Sequence, residues 1–120
     1  MGNIQSYRDL VVWQKAMDLI IKIYRATEGF PKTEQYGLTS QMRRAAVSIA
    51  SNISEGSYRG SRKDFRHFII IAYGSGGELE TQLEIVHRLK FIPENELDEI
   101  CSLHKEVMKM LNSLSQKLSI

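Results

Sequence analysis

The sequence predicts an all-α fold, an antiparallel up-down bundle of four helices that forms one domain over residues 1–120. In four long segments, apolar residues recur three and four positions apart, as on a helix with one buried face. Almost no segment shows the alternation of a strand. With 42% apolar and 25% charged residues, the chain has the composition of a soluble globular domain.

The first two helices are predicted from their apolar stripes and stop signals. Residues 7–27 form the first, which ends because glycine permits a C-terminal cap and proline cannot continue a helix in the segment 28–31. Residues 38–54 form the second, and the glycine-punctuated segment 55–60 is predicted to be a loop. The expected stripes are Leu10, Trp13, Met17, Ile20 and Tyr24, then Met42, Ala45, Ala46, Ile49, Ala50 and Ile53.

The third helix, residues 62–89, is the longest. Ser61 is a good N-cap residue, and Asp64 favours the first turn. The three glycines of residues 74–77 cost roughly 2 to 3 kcal/mol relative to alanine, yet the periodicity stays in register on both sides. We therefore expect one continuous helix. Its stripe is Phe65, Phe68, Ile69, Ala72, Gly76, Leu79, Leu83 and Val86.

The fourth helix, residues 94–117, follows Pro93, which suits a first helical turn because its missing N–H is harmless there. Acidic residues near this end favour the helix dipole. Its stripe is Leu97, Ile100, His104, Val107, Leu111, Leu114 and Leu118.

A tight loop near residue 59 pairs the second and third helices as an antiparallel hairpin. This register places the small residues around Ser48 opposite residues 72–75. Small residues on both helices allow close backbone approach, which gives the glycines a packing role. The same register predicts a partly buried ion pair between Arg44 and Glu78.

Charge is distributed unevenly, although the net charge of +2 is too small to imply a polyanionic partner. Residues 41–66 are basic and residues 91–120 are acidic. The basic side chains cluster at the second loop and the start of the third helix: Arg59, Arg62, Lys63 and Arg66, with Arg43 on the second helix.

Two interpretations of this basic cluster are open. It is either a solvated helix start or a phosphate-binding surface, since the guanidinium fork matches phosphate oxygens. Cations at a helix N-terminus oppose the helix dipole, which favours the functional interpretation. An oligomer would multiply the cluster, and affinity for a polyanion rises steeply with the number of phosphates neutralised.

No pattern in the sequence indicates a metal, a cofactor or a catalytic residue. Glu84 and His87 form one Glu-x-x-His motif, whereas di-iron bundles use two such motifs and two further glutamates. Cys101 and His104 have ligand spacing, but zinc takes three or four ligands, and His87 is not expected near Cys101. We therefore expect no enzyme; a metalloenzyme is a further hypothesis that metal in the purified protein would support.

The expected location is the cytoplasm. The single cysteine, Cys101, excludes an internal disulfide and fits a reducing compartment. The longest apolar run, residues 68–72, is far below the roughly 20 residues of a membrane span. The N-terminal residues lack a signal-peptide pattern, and we expect no membrane contact.

Several strings resemble one known family over nearly the whole chain. They are residues 7–16 (YRDLVVWQKA), 30–31 (FP), 36–41 (YGLTSQ), 43–49 (RRAAVSI), 52–56 (NISEG), 72–75 (AYGS) and 78–80 (ELE). Together they resemble the bacterial four-helix-bundle proteins encoded in intervening sequences of 23S ribosomal RNA genes. That family is related to the accessory variability protein of diversity-generating retroelements.

The resemblance implies a homopentameric, barrel-like ring with a basic surface suspected of binding nucleic acid, and it brings no catalytic residues. The leading hypothesis is a non-enzymatic oligomeric bundle that binds structured RNA or other nucleic acid through a basic surface, with RNA favoured over DNA. Its first contacts are Arg59, Arg62, Lys63 and Arg66, and Arg43 is a second. The alternative is a protein-interaction scaffold that docks a protein partner and never touches nucleic acid.

Overall fold

The computed structural model describes residues 6–119 and shows four α-helices: α1 (Val11–Glu28), α2 (Leu38–Tyr58), α3 (Arg62–Leu89) and α4 (Glu94–Lys117). Short 3-10 turns cover Tyr7–Asp9 and Lys32–Glu34, and no strand occurs within the described residues. The predicted all-α four-helix architecture is confirmed. Residues 1–5, where a signal-peptide pattern is lacking, lie outside the described range.

The helices run alternately up and down. α2 packs on α3 and α3 on α4, while α1 packs on both α2 and α4. At one end of the bundle, the segment before α1 lies beside the α2–α3 turn, where the centres of the Tyr7 and Tyr58 rings are 5.8 Å apart. At the other end the Phe30 and Phe91 rings lie 5.2 Å apart. No described helix has an apolar stretch sufficient to traverse a lipid bilayer.

The third and fourth helices have the predicted boundaries. Ser61 caps α3, since its Oγ accepts a hydrogen bond from the Asp64 N–H at 3.1 Å. The predicted stripes of α2, α3 and α4 are buried, apart from the half-buried Phe68 and Leu114. His104 belongs to the core, where its Nε2 lies 2.8 Å from the Gly76 carbonyl oxygen.

The predicted loop 55–60 is wrong at its start, because α2 continues through Tyr58. Gly56 lies in its last turn, where an added Cβ would stand 2.7 Å from the Phe68 Cβ. This close approach to α3 outweighs the low helix propensity of glycine. The turn that remains is short, and Gly60 adopts a positive φ of 82° there, a conformation that glycine takes without strain.

The predicted stripe of α1 follows only one edge of the buried face. The most deeply buried side chains are Ala16, Leu19 and Ile23, whereas Trp13 is half-buried and Tyr24 is exposed. α1 packs against two neighbours, α2 and α4, so its apolar surface is wider than a single stripe.

The hairpin register is confirmed, since the Ser48 and Ser75 Oγ atoms lie 2.9 Å apart. The prediction that the three glycines allow close approach to α2 is wrong. Gly76 packs against Met108 of α4, and a Cβ added at Gly74 or Gly77 would meet nothing within 4 Å.

The predicted ion pair between Arg44 and Glu78 is also wrong. Both side chains are exposed, and no ion pair joins them among the described residues. The Glu78 carboxylate instead accepts a hydrogen bond from Gln82 Nε2 at 3.2 Å. The helix register predicts which backbone positions of α2 and α3 lie opposite one another. It does not predict the direction of the side chains, and these two charged groups do not meet.

Candidate nucleic-acid interface

One end of the bundle, which we call the basic end, gathers most of the predicted contact residues. Antiparallel packing brings the last turn of α2, the first turns of α3 and the last turn of α4 together there. Among the described residues of this end, cations outnumber carboxylates six to three: Arg8, Arg59, Arg62, Lys63, Arg66 and Lys117 against Asp9, Glu55 and Asp64. The acidic start of α4 lies at the opposite end.

Arg62 and Arg66 have a structural role at the basic end. Arg62 donates from Nε to the Leu118 carbonyl oxygen at 3.2 Å and from Nη2 to the Lys117 carbonyl oxygen. Arg66 donates from Nε to the Ser115 carbonyl oxygen at 2.9 Å. The last carbonyls of a helix lack intrahelical partners and carry the negative end of its dipole. These two arginines therefore cap α4, and part of their donor capacity is used inside the protein.

Arg59 is partly neutralised. Its Nη2 lies 3.3 Å from Glu55 Oε2, and its guanidinium carbon lies 4.8 Å from the centre of the Phe68 ring. Both charged side chains are about half exposed, and exposed ion pairs of this kind contribute little stability. The Glu55 carboxylate lowers the net positive charge that Arg59 presents to an incoming phosphate.

Lys63 has no hydrogen-bond or ion-pair partner among the described residues, and its side chain is exposed. It lines an open cavity of about 480 Å³ together with Arg66, His67, Ile70 and Leu118. A compact, freely rotating ammonium group can follow a phosphate without breaking any internal contact. Lys63 is thus the cation of the predicted cluster most available to a ligand.

Arg43 stands apart from the other predicted contacts. It donates from Nε to Thr27 Oγ1 at 2.9 Å and from Nη2 to the Tyr24 carbonyl oxygen at 3.3 Å. Its guanidinium carbon lies 4.5 Å from the centre of the Tyr24 ring. At 1.5 Å per residue along α2, Arg43 is about 24 Å from Arg59. The structure therefore places Arg43 in a separate region, where it joins α2 to α1.

Arg44 is the basic residue whose predicted contact is absent from the structure. It is exposed and has no partner among the described residues, whereas the sequence suggested an ion pair for it. Consecutive helical residues point about 100° apart, so only one of two neighbouring arginines can face α1. The apolar residues Met42 and Ala45, which are buried, flank both arginines. Their positions in the sequence did not show which of the two arginines faces α1.

Tyr58 is only partly packed against its neighbours. Its ring lies 5.8 Å from Tyr7, which in turn packs edge-on against Trp13 at 5.2 Å. The residue is nevertheless 79% exposed. It lies beside the basic end, with most of its surface open to solvent.

A second cavity, of about 250 Å³, lies between α3 and α4. Glu84, His87, Cys101 and His104 are among the residues that line it. Burial, with the nearby Asp98 carboxylate, raises the pKa of the Cys101 thiol and favours its protonated form. Within the described residues no three His, Cys, Asp or Glu side chains are grouped to hold a metal ion.

The sequence matches the family model of the 23S rRNA-intervening sequence protein over residues 8–113. No curated protein matches it. A similar solved structure is the crystal structure of a protein with unknown function from the S23 ribosomal protein family of Bacteroides thetaiotaomicron VPI-5482. The two chains are 26% identical and superpose with a TM-score of 0.80, over 88% of this chain and 96% of the other.

Proposed function

The chain belongs to the family of 23S rRNA-intervening sequence proteins, and we propose from its basic end that it is a non-enzymatic, oligomeric bundle that binds structured RNA. The observation that carries the proposal is the open cavity where Lys63, free of internal partners, lies beside Arg66 and His67. Cations outnumber carboxylates around it, so phosphate oxygens would be attracted there.

Structured RNA suits this surface better than a base-reading mode. Lys63, which has no internal partner among the described residues, carries an ammonium group that acts as a point charge on phosphate. Paired RNA is recognised largely through its shape and backbone. Recognition of this kind needs several cations in a fixed arrangement. One protomer has few free cations, and an oligomer would present several copies of them.

The assembly that we propose is a homopentameric ring in the cytoplasm; the number five rests on the family resemblance alone. The structural support concerns one surface of α3, which we call the α3 strip: Ile71, Gly74 and Gly77. Ile71 is 38% exposed. An exposed glycine costs about 1 kcal/mol in a helix, and nothing inside the protomer explains Gly74 or Gly77. A neighbouring subunit close against the strip would explain all three residues.

The double substitution Gly74→Gln and Gly77→Gln should separate folding from assembly. A Cβ added at either position would meet no atom within 4 Å, so the helix gains about 0.5 kcal/mol at each position. We expect a higher Tm by circular dichroism in dilute protein and a fall to protomer mass in sedimentation velocity. A variant that keeps the wild-type mass would place the α3 strip outside the subunit interface.

The direct test of the proposed function is equilibrium binding. We expect the purified protein to carry nucleic acid, seen as excess absorbance near the nucleic-acid maximum. After this is removed, the protein should bind a labelled RNA hairpin at low salt with micromolar or tighter affinity. If neither occurs, the protein-interaction scaffold becomes the better account, with the apolar α3 strip as the surface on which a partner would dock.

A further inference from the structure

A third open cavity, of about 480 Å³, lies far from the basic end, where the last turns of α1 meet the first turns of α2. Tyr24, Tyr36, Arg43, Arg44 and Val47 line it. Two arginines and two tyrosines thus share one depression. No carboxylate belongs to the described residues of its lining. The nearest one along the chain, Glu34, accepts a hydrogen bond from the Leu38 N–H at 3.4 Å and so caps α2.

Tyr36 is the most unusual of these residues. It precedes α2 and is 91% exposed. Its ring makes no aromatic, cation–π or hydrogen-bond contact within the described part of the chain. Tyrosine normally covers much of its ring against neighbouring side chains, and its large surface makes it a frequent anchor in binding sites. Both faces of the Tyr36 ring are available to a planar group.

The two arginines differ in a way that suits one ligand. Arg43 is fixed over the Tyr24 ring by its bonds to Thr27 and to the Tyr24 carbonyl, and its Nη1 is left unused. Arg44 has no partner within the described residues and can turn towards an anion. The free aromatic ring of Tyr36 can stack on the planar base of a nucleotide. The free guanidinium group of Arg44, eight residues later, can bind its anionic phosphate.

We propose that this cavity, the Tyr36–Arg44 site, binds an unpaired nucleotide of RNA. The base stacks on the Tyr36 ring, and an adjacent phosphate accepts hydrogen bonds from Arg44, with Arg43 as a fixed second cation. Aromatic rings and guanidinium planes are the groups that hold unpaired bases, whereas a duplex hides the faces of its bases from both. The inference rests on the proposed function and deepens it: single-stranded RNA binds here, and paired RNA binds at the basic end.

The two surfaces are separable by experiment because Arg44 and Arg59 lie about 22 Å apart along α2. Fluorescence anisotropy would compare two labelled probes, a short RNA without secondary structure and a fully paired RNA hairpin. The test variants are Tyr36→Leu and Arg44→Gln. Tyr73→Leu is the matched control, since Tyr73 is another exposed tyrosine and lines neither of the two cavities.

We expect Tyr36→Leu to weaken binding of the single strand by about tenfold, with unchanged affinity for the hairpin. Arg44→Gln should weaken single-strand binding and make it less dependent on salt, and Tyr73→Leu should leave it unchanged. Since both test side chains are exposed, Tm should stay at its wild-type value.

Unchanged single-strand affinity in Tyr36→Leu, or an equal loss for both probes, would overturn the Tyr36–Arg44 site while the proposed function stands. Binding of the single strand alone by the wild-type protein would support this site and contradict the role of the basic end. Binding of neither probe would overturn both.

Discussion

Replacing Lys63 with glutamate is expected to weaken binding of an RNA hairpin by about tenfold or more at low salt. Lys63 lies in the open cavity of the basic end and has no internal partner among the described residues. Charge reversal there therefore removes attraction to phosphate without breaking a contact that holds the fold. An oligomer would repeat the loss in every subunit. Fluorescence anisotropy gives the affinity, and circular dichroism should show an unchanged Tm.

The control for this prediction is Lys109→Glu, which makes the same charge change at an exposed position of α4 outside the cavity. We expect it to retain most of the affinity. Arg62 is unsuitable for the same test, since its substitution removes two donors from the carbonyls at the end of α4. Equal affinities of the Lys63→Glu variant and the wild-type protein would remove the basic end from RNA binding.

The second large effect concerns stability. Gly56→Ala is expected to lower the free energy of unfolding by about 1–3 kcal/mol, the usual cost of overpacking a core. The new Cβ would lie 2.7 Å from the Phe68 Cβ and 3.3 Å from the Phe65 carbonyl oxygen, so either α2 or α3 must shift. Alanine favours a helix over glycine by about 1 kcal/mol, which offsets only part of this cost. Thermal or urea unfolding measures the difference.

Gly76→Ala provides the matched control. Its Cβ would meet the flexible thioether end of Met108 rather than backbone or a Cβ atom. Met side chains adapt to such changes at little cost, and the gain in helix propensity opposes the remainder. We expect a stability close to that of the wild-type protein. If Gly56→Ala were as stable as Gly76→Ala, the close crossing of α2 and α3 would be contradicted.

Periodicity predicted most of the fold, because burying one face of a helix demands an apolar residue at each turn. It predicted α3 and α4 with their boundaries and the register that joins Ser48 to Ser75. It missed the last turn of α2, since the local signal of Gly56 resembles a loop and its role arises from contact with α3. Local patterns do not carry such tertiary contacts.

The candidate site was less predictable. The sequence placed cations near the α2–α3 turn, and antiparallel packing does gather four of the five predicted residues there. It did not predict that Arg62 and Arg66 cap α4, because their acceptors are backbone carbonyls about 50 residues away. It also predicted an ion pair for Arg44, which has no partner among the described residues, and did not predict the bonds of Arg43 to α1. Tyr36 belongs to one of the family strings, but its exposure was not predicted, since the exposure of a single aromatic residue before a helix follows from tertiary packing.

The measurement that tests the central claim most directly is the salt dependence of hairpin binding by the wild-type protein. If an oligomer presents several basic ends to phosphate, the logarithm of the binding constant should fall with the logarithm of salt concentration with a slope steeper than about −3. A slope near zero, or no binding at the lowest salt, would contradict the claim that this bundle binds RNA through its charged surface.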